Sequence, residues 1–126
     1  MKLFCYGNEN EKTVLEFSPC RKIHDIQWED WNYADSLYIT KTDYTKLLKD
    51  FIEKIFPIND PENNEIIECF DPCTSTWIGK KDWEKLIKLI EQEKITNERE
   101  MQFYNQFVKW IKEQLINVKI IVTDGW

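Results

Sequence analysis

The sequence is short of glycine, histidine and long apolar runs, and each shortage excludes a class of function. Its three glycines, Gly7, Gly79 and Gly125, form neither a GxxxxGK[ST] nor a GxGxxG motif, which excludes a glycine-rich phosphate loop. His24 is the only histidine, so any Cys-His or Ser-His pair has one possible base. The apolar run at residues 3–6 is too short for a signal peptide or a membrane span. We therefore expect a cytoplasmic protein that is not an enzyme and has no membrane partner.

Four cysteines and His24 offer one possible metal site. Without an export signal, reduced thiols are expected rather than disulfides. Cys20-x3-His24 and Cys69-x3-Cys73 would together supply four ligands suited to tetrahedral zinc. Half-buried free thiols explain the cysteines more simply, and Cys5 would be left over. We predict no metal and no cofactor, and keep a small zinc-binding module as an alternative.

What the sequence does contain is material for a core and an excess of acidic residues. With 126 residues, 42% hydrophobic and 14% aromatic, residues 1–126 have the size and composition of a single domain. The formal net charge is −6. Residues 1–79 hold 8 Lys/Arg against 15 Asp/Glu, whereas residues 80–126 hold 9 against 8. Such acidity attracts basic proteins and repels phosphate backbones, so nucleic acid is not an expected partner.

The spacing of apolar residues predicts an α+β fold. Strands are expected at residues 3–6, 13–17, 36–40, 65–70 and 118–123, the first two forming a hairpin. Helices are expected between Thr40, as N-cap, and Pro57, and at residues 80–92 and 97–116. Met101 belongs to the predicted core stripe of the last helix. Helices without regular βαβ alternation favour a single layer of mixed, mainly antiparallel sheet packed against about three helices.

The most informative stretch is residues 24–35, His-Asp-Ile-Gln-Trp-Glu-Asp-Trp-Asn-Tyr-Ala-Asp, which we call the acidic–aromatic segment. Tryptophan and tyrosine are frequent hot spots of interfaces, and carboxylates around them steer a basic partner. A second acidic loop, residues 60–68, is expected to extend the same face. The structural alternative is that the indoles cap the sheet edge and the second loop is a solvated turn. The candidate partner-binding residues are Asp25, Trp28, Glu29, Asp30, Trp31, Tyr33, Asp35, Asp60 and Glu62.

Two stretches resemble the small immunity proteins of bacterial polymorphic-toxin and contact-dependent inhibition systems. The first is Ser36-Leu-Tyr-Ile-Thr-Lys-Thr-Asp-Tyr, a strand that leads into an amphipathic helix ending at Phe56-Pro57. The second is Thr76-Trp-Ile-Gly-Lys-Lys-Asp-Trp-Glu-Lys-Leu, ahead of another helix. The resemblance implies a compact, acidic, cytoplasmic inhibitor that covers the active site of one cognate toxin, commonly a basic nuclease. The candidate residues come from the acidic–aromatic segment, because the resemblance does not carry contact residues.

A second class of function stays open beside the immunity protein. A non-enzymatic regulatory or phage-encoded adaptor would bind its partner through an apolar helix face, with Phe103 and Trp110 directed outward. A homodimer that buries these two residues would favour this alternative. Both a monomer and a homodimer are compatible with the sequence.

Overall fold

The computed structural model describes residues 1–125 as a five-stranded sheet with three helices on one face. The elements are β1 (Lys2–Leu3), β2 (Thr13–Cys20), β3 (Leu37–Thr40), α1 (residues 41–55), β4 (Ile58–Asn59), β5 (Ile66–Ile67), β6 (Ser75–Gly79), α2 (Lys80–Gln92), α3 (Glu98–Leu115) and β7 (Ile120–Gly125). The sheet order is β1-β3-β2-β7-β6, and β4 and β5 form a separate pair. β1 runs parallel to β3, whereas the β3–β2, β2–β7 and β7–β6 pairs are antiparallel. The predicted fold class is confirmed.

Helix α1 begins where the sequence predicts, because Thr40 caps it. The Thr40 Oγ1 atom accepts a hydrogen bond from the backbone N–H of Asp43 at 3.3 Å. The helix consists of α-helical Lys41–Asp43, π-helical Tyr44–Leu48 and α-helical Lys49–Ile55. Within the π-helical turn, the carbonyl of Leu47 accepts a hydrogen bond from the Tyr104 hydroxyl at 2.7 Å. This contact joins α1 to α3 at the point where the helical hydrogen-bond ladder is irregular.

The predicted hairpin between residues 3–6 and 13–17 is wrong, because a buried carboxylate takes the first strand elsewhere. β1 ends at Leu3 and pairs with β3 instead of β2. The backbone N–H groups of Cys5, Tyr6 and Gly7 donate to the carboxylate of Asp43 at 2.9, 2.7 and 3.2 Å. Asp43 is completely buried in the first turn of α1. The chain after β1 therefore follows the start of α1 and does not turn back along β2.

Strand β6 was not predicted, and it completes one edge of the sheet. Its alternation is visible in the sequence Ser-Thr-Trp-Ile-Gly, where Thr76 and Ile78 are buried on the helix side and Trp77 lies on the other side. The strand predicted at residues 65–70 is confined to β5. β2 continues to Cys20, three residues beyond the end of the strand predicted at residues 13–17.

The core has two parts, one on each face of the sheet. Between the sheet and the helices, the Phe17 ring packs edge-on against Trp83 and Phe107, with centroids 5.7 and 5.6 Å apart. The Trp83 indole N–H also donates to the carbonyls of Ile78 and Ile121 at 3.0 and 3.2 Å. The face turned away from the helices, which we name the outer face, carries a smaller buried cluster of Cys20, Ile26, Trp31, Ile120 and Val122, with Trp77 packed against it. None of the helices in residues 1–125 is long and apolar enough to cross a membrane.

Candidate binding surface

The acidic–aromatic segment crosses the outer face, and Trp31 holds it there. Trp31 forms an isolated antiparallel bridge with Cys20, and the backbone N–H of Asn32 donates to the carbonyl of Pro19 at 2.8 Å. The Trp31 side chain is only 8% exposed. Its ring lies 6.3 Å from that of Trp77. The sequence placed Trp31 among the partner-binding residues, but its side chain is buried against the outer face and anchors the segment to the sheet.

The end of the segment is held from the helix side of the sheet. The indole N–H of Trp110, on α3, donates to the backbone carbonyl of Asp35 at 3.1 Å. The carboxylate of Asp35 accepts a hydrogen bond from the side-chain amide of Asn32. The Asp35 side chain is exposed, but it also stabilises the turn in which it lies.

Trp28 is exposed to solvent, whereas Trp31, only three residues later, is buried. It opens a 3-10 turn, Trp28–Asp30, and 63% of it is exposed. The Asp30 carboxylate fixes this turn by accepting a hydrogen bond from the backbone N–H of Gln27 at 2.8 Å. That bond is the main cause that lowers the pKa of Asp30, and the Lys22 ammonium, 3.5 Å away, lowers the pKa further. Asp30 is thus a structural carboxylate, and it supports an exposed indole.

The two acidic loops meet at Asp25. Its backbone N–H donates to Oε1 of Glu62 at 2.9 Å, and Asp25 adopts the left-handed conformation with φ of 53°. The Glu62 backbone N–H donates in turn to Asp60 at 2.8 Å. Asp60 and Glu62 therefore lie beside the acidic–aromatic segment, but both carboxylates serve the loops themselves.

The predicted site thus separates into exposed groups and groups that support them. The side chains of Asp25 and Glu29 are exposed, and neither belongs to an ion pair within residues 1–125. Tyr33 is 42% exposed, and the charge of Glu29 is one of the causes, after burial, that raise its pKa. We use the name Trp28 surface for Asp25, Trp28, Glu29 and Tyr33.

A row of polar side chains on the outer face was missed by the sequence reasoning. Register places Glu16 of β2 opposite Tyr38 of β3 on one side and opposite Asp124 of β7 on the other. Asp124 is in turn opposite Ser75 of β6, whose hydroxyl donates to Oδ1 of Asp124 at 2.6 Å. Cross-strand partners share a face of the sheet, so these four residues, the outer-face row, project together. The available signal was the alternation of polar and apolar residues in β2, which directs the Glu16 side chain to the opposite face of the sheet from its two sequence neighbours.

No protein-family model, curated protein or solved structure matches this chain. The Trp28 surface and the outer-face row adjoin each other, because the turn that contains Tyr33 lies against β2, the strand that carries Glu16.

The residues of the zinc alternative are not brought together. Cys20 is buried, and its thiol lies 3.5 Å from the carbonyl of Lys22, whereas His24, Cys69 and Cys73 are exposed. Within residues 1–125, no group of three or more His, Cys, Asp or Glu side chains is arranged to hold a metal ion. All four cysteines are free. The geometry gives the zinc module no support.

The adaptor alternative placed Phe103 and Trp110 outward, and this placement is wrong. They are 2% and 6% exposed, because α3 packs a broad face against the sheet and α1. Met101, predicted in the core, is instead 42% exposed. It borders a groove of about 580 Å³ between α2 and α3, whose apolar lining includes Ile90, Ile95, Tyr104, Val108 and Ile116. Ile116 is 79% exposed, so the helix side has an apolar surface of its own.

Proposed function

We propose that this protein is a cytoplasmic, non-enzymatic immunity protein that binds and neutralises one cognate bacterial toxin with a basic, nuclease-type domain. The observation that carries the proposal is the 63% exposure of Trp28 on a turn whose neighbours are held in place. The resemblance of the sequence to small immunity proteins supports the same function.

Trp28 has the properties of an interface hot spot. An indole offers a large apolar area together with one polar N–H, and such side chains dominate binding energy when a partner buries them. Trp31, Trp110 and the Asp30 carboxylate restrain the segment before any partner arrives. Binding therefore loses little conformational entropy in this loop.

The charge distribution selects the kind of partner. Glu29 follows Trp28 directly and Asp25 lies three residues before it, and neither carboxylate belongs to an ion pair within residues 1–125. The chain as a whole carries −6. An acidic surface accelerates the approach of a basic protein, and carboxylates can occupy a cleft that otherwise binds phosphate.

The test begins with capture of the partner from the native cell and its identification. Co-expression of this chain should protect cells against the captured protein, which we expect to be a basic toxin. Trp28→Ala should then weaken the measured affinity about 30-fold or more, as for a hot-spot residue. Ile116→Ala is the matched control, because it removes an even more exposed apolar side chain from the helix side. A partner that loses affinity with Ile116→Ala and not with Trp28→Ala would exclude the Trp28 surface.

The electrostatic part of the proposal has its own measurement. The double variant Asp25→Asn/Glu29→Gln should slow association with the toxin at low ionic strength, and the difference should shrink as salt is added. The control Asp50→Asn/Glu84→Gln removes the same charge from exposed positions on α1 and α2. Equal association rates for the two double variants would show that only net charge matters.

The groove between α2 and α3 favours a second candidate, an adaptor that binds an apolar segment of its partner. Its support is the exposure of Met101 and Ile116 at the groove. Under this function the partner need not be a toxin or basic, and Ile116→Ala would be the damaging variant.

A further inference from the structure

The outer-face row brings two carboxyl groups together without a cation between them. Glu16 and Asp124 are direct partners across the β2–β7 pair, where side chains on one face lie about 5 Å apart at Cβ. No lysine, arginine or histidine nitrogen lies within 4 Å of either carboxyl group in residues 1–125. Like charges at opposite positions of a sheet are unfavourable, so this arrangement is destabilising in the free protein.

Burial makes the position of Glu16 more costly still. Glu16 is only 4% exposed. Two hydroxyl groups support its carboxyl group: that of Ser18, 3.3 Å from Oε1, which also bonds to the Ser36 hydroxyl at 2.7 Å, and that of Tyr38. A buried carboxyl group is normally paired with a cation or held by several strong donors. Glu16 is therefore a buried acidic group that has hydroxyl donors but no cationic partner within residues 1–125.

Aromatic side chains surround these two carboxyl groups. Tyr38 is next to Glu16 in the row, and Tyr33 lies in a turn that contacts β2. The Tyr33 ring packs against Trp31 with centroids 5.9 Å apart, and Trp31 packs against Trp77. The indole N–H groups of Trp31 and Trp77 are buried and have no hydrogen-bond acceptor in residues 1–125. The outer face thus combines unpaired acidic groups, aromatic rings and two unused donors.

A flat organic cation fits this combination better than a metal ion. A metal ion would need at least three ligands, and residues 1–125 contain no such group. A guanidinium group can stack on aromatic rings and donate hydrogen bonds to two carboxylates at once.

We infer that the outer-face row, with Tyr33, is a binding site for an arginine side chain of a partner protein. The inference rests on the proposed function only for the owner of that arginine, which would be the toxin. The Trp28 surface and the arginine site would then form one continuous interface across the acidic–aromatic segment.

L-argininamide tests the site without the toxin, because it offers the same guanidinium group. In ¹H–¹⁵N spectra of the full chain, it should cause saturable shifts of the amides of Glu16, Tyr38 and Asp124 and of the Trp31 and Trp77 indoles. Glu16→Gln and Asp124→Asn should each weaken this binding about tenfold, and L-lysinamide should bind more weakly than L-argininamide. Glu84→Gln, on α2, should change nothing. Shifts spread over the whole acidic surface, or shifts unchanged by Glu16→Gln, would overturn the site.

Stability supplies an independent readout. Because Glu16 is buried without a counter-charge, Glu16→Gln should raise the Tm of the free protein by about 2–4 °C while it weakens argininamide binding. If Glu16→Gln fails to fold or lowers Tm, the carboxyl group is structural and the inference is wrong. Asp124→Asn, at a half-buried position, then shows whether any argininamide binding remains to be explained.

Failure of this inference differs from failure of the proposed function. If the toxin binds through Trp28 and is insensitive to both Glu16→Gln and Asp124→Asn, only the arginine site is wrong. If argininamide binds at the row but the captured partner is not a toxin, the site stands and the proposed function falls.

Discussion

At the scale of single residues, position in the fold decides what each tryptophan does. Trp28 is 63% exposed and Trp31 is 8% exposed, although both lie among carboxylates in the same segment. Composition alone assigns both to an interface. The contacts of Trp31 with Cys20 and Trp77 turn it into a support, and Trp28 has no such neighbour to cover it.

Buried tyrosines give a prediction for alkaline pH. Burial raises the pKa of Tyr104 to about 12, and that of Tyr44 likewise to about 12. In the unfolded chain a tyrosine ionises near pH 10, so from about pH 10 to pH 12 the unfolded state loses protons that the folded state keeps. The stability due to the neutral phenols is therefore complete below about pH 10 and should fall as pH rises towards 12.

Urea unfolding at pH 8, 10 and 11 measures this effect. Tyr104→Phe should weaken the fall above pH 10, and it should lower stability at pH 8 by about 1 kcal/mol because the Leu47 carbonyl loses its donor. Tyr44→Phe is the companion variant for the pH dependence. Stability that stays constant between pH 10 and pH 11 would contradict the burial of both phenols.

At the scale of elements, Asp43 joins the start of α1 to the segment after β1. Its carboxylate accepts hydrogen bonds from three successive residues, Cys5, Tyr6 and Gly7. A Cβ atom on Gly7 would lie 2.1 Å from Oγ1 of Thr40, so only glycine allows this close approach. This connection replaced the hairpin that local sequence predicted.

Asp43→Ala should therefore destabilise the protein by about 3 kcal/mol or more, because three N–H groups, two buried and one partly buried, lose a charged acceptor. Hydrogen exchange should show lost protection at residues 5–7, while the amides of β2 and β7 keep theirs. Asp50→Asn, an exposed position on the same helix, should stay within about 0.5 kcal/mol of the parent protein. Unchanged protection at residues 5–7 in Asp43→Ala would refute the connection.

At the scale of the whole molecule, the cysteines report on both faces of the sheet. Cys5 is buried in the main core and Cys20 in the outer cluster, whereas Cys69 and Cys73 are exposed. Burial raises the pKa of the Cys5 and Cys20 thiols, which lowers their reactivity further. Two of the four thiols are thus buried and two are accessible.

A thiol reagent that absorbs on reaction should count two thiols in the native protein and four in denaturant. Cys69→Ser/Cys73→Ser should leave no fast-reacting thiol. Rapid reaction of all four thiols under native conditions would mean that the buried sites of both Cys5 and Cys20 are open to solvent.

The fold class was predictable because it depends on local periodicity, and the candidate site was predictable only in part. Helices α2 and α3 follow from apolar residues at helical spacing, and Asn97 caps α3 as its residue type suggests, with Oδ1 accepting from the N–H of Glu100 at 3.0 Å. β6 escaped prediction because its partner, β7, lies more than 40 residues away in the sequence. Pairing over such distances leaves only a short alternation as a local signal.

The acidity, the α+β class and the location of the acidic–aromatic segment were all predictable, since they depend on residue types and on spacing within single elements. Tertiary contacts were needed to establish that Trp31 is buried while Trp28 is exposed, and that Glu16 and Asp124 lie side by side. The physical reason is register: which residues face each other across β2 and β7 depends on contacts between the two ends of the chain. A shift of one residue would turn every one of these side chains to the opposite face.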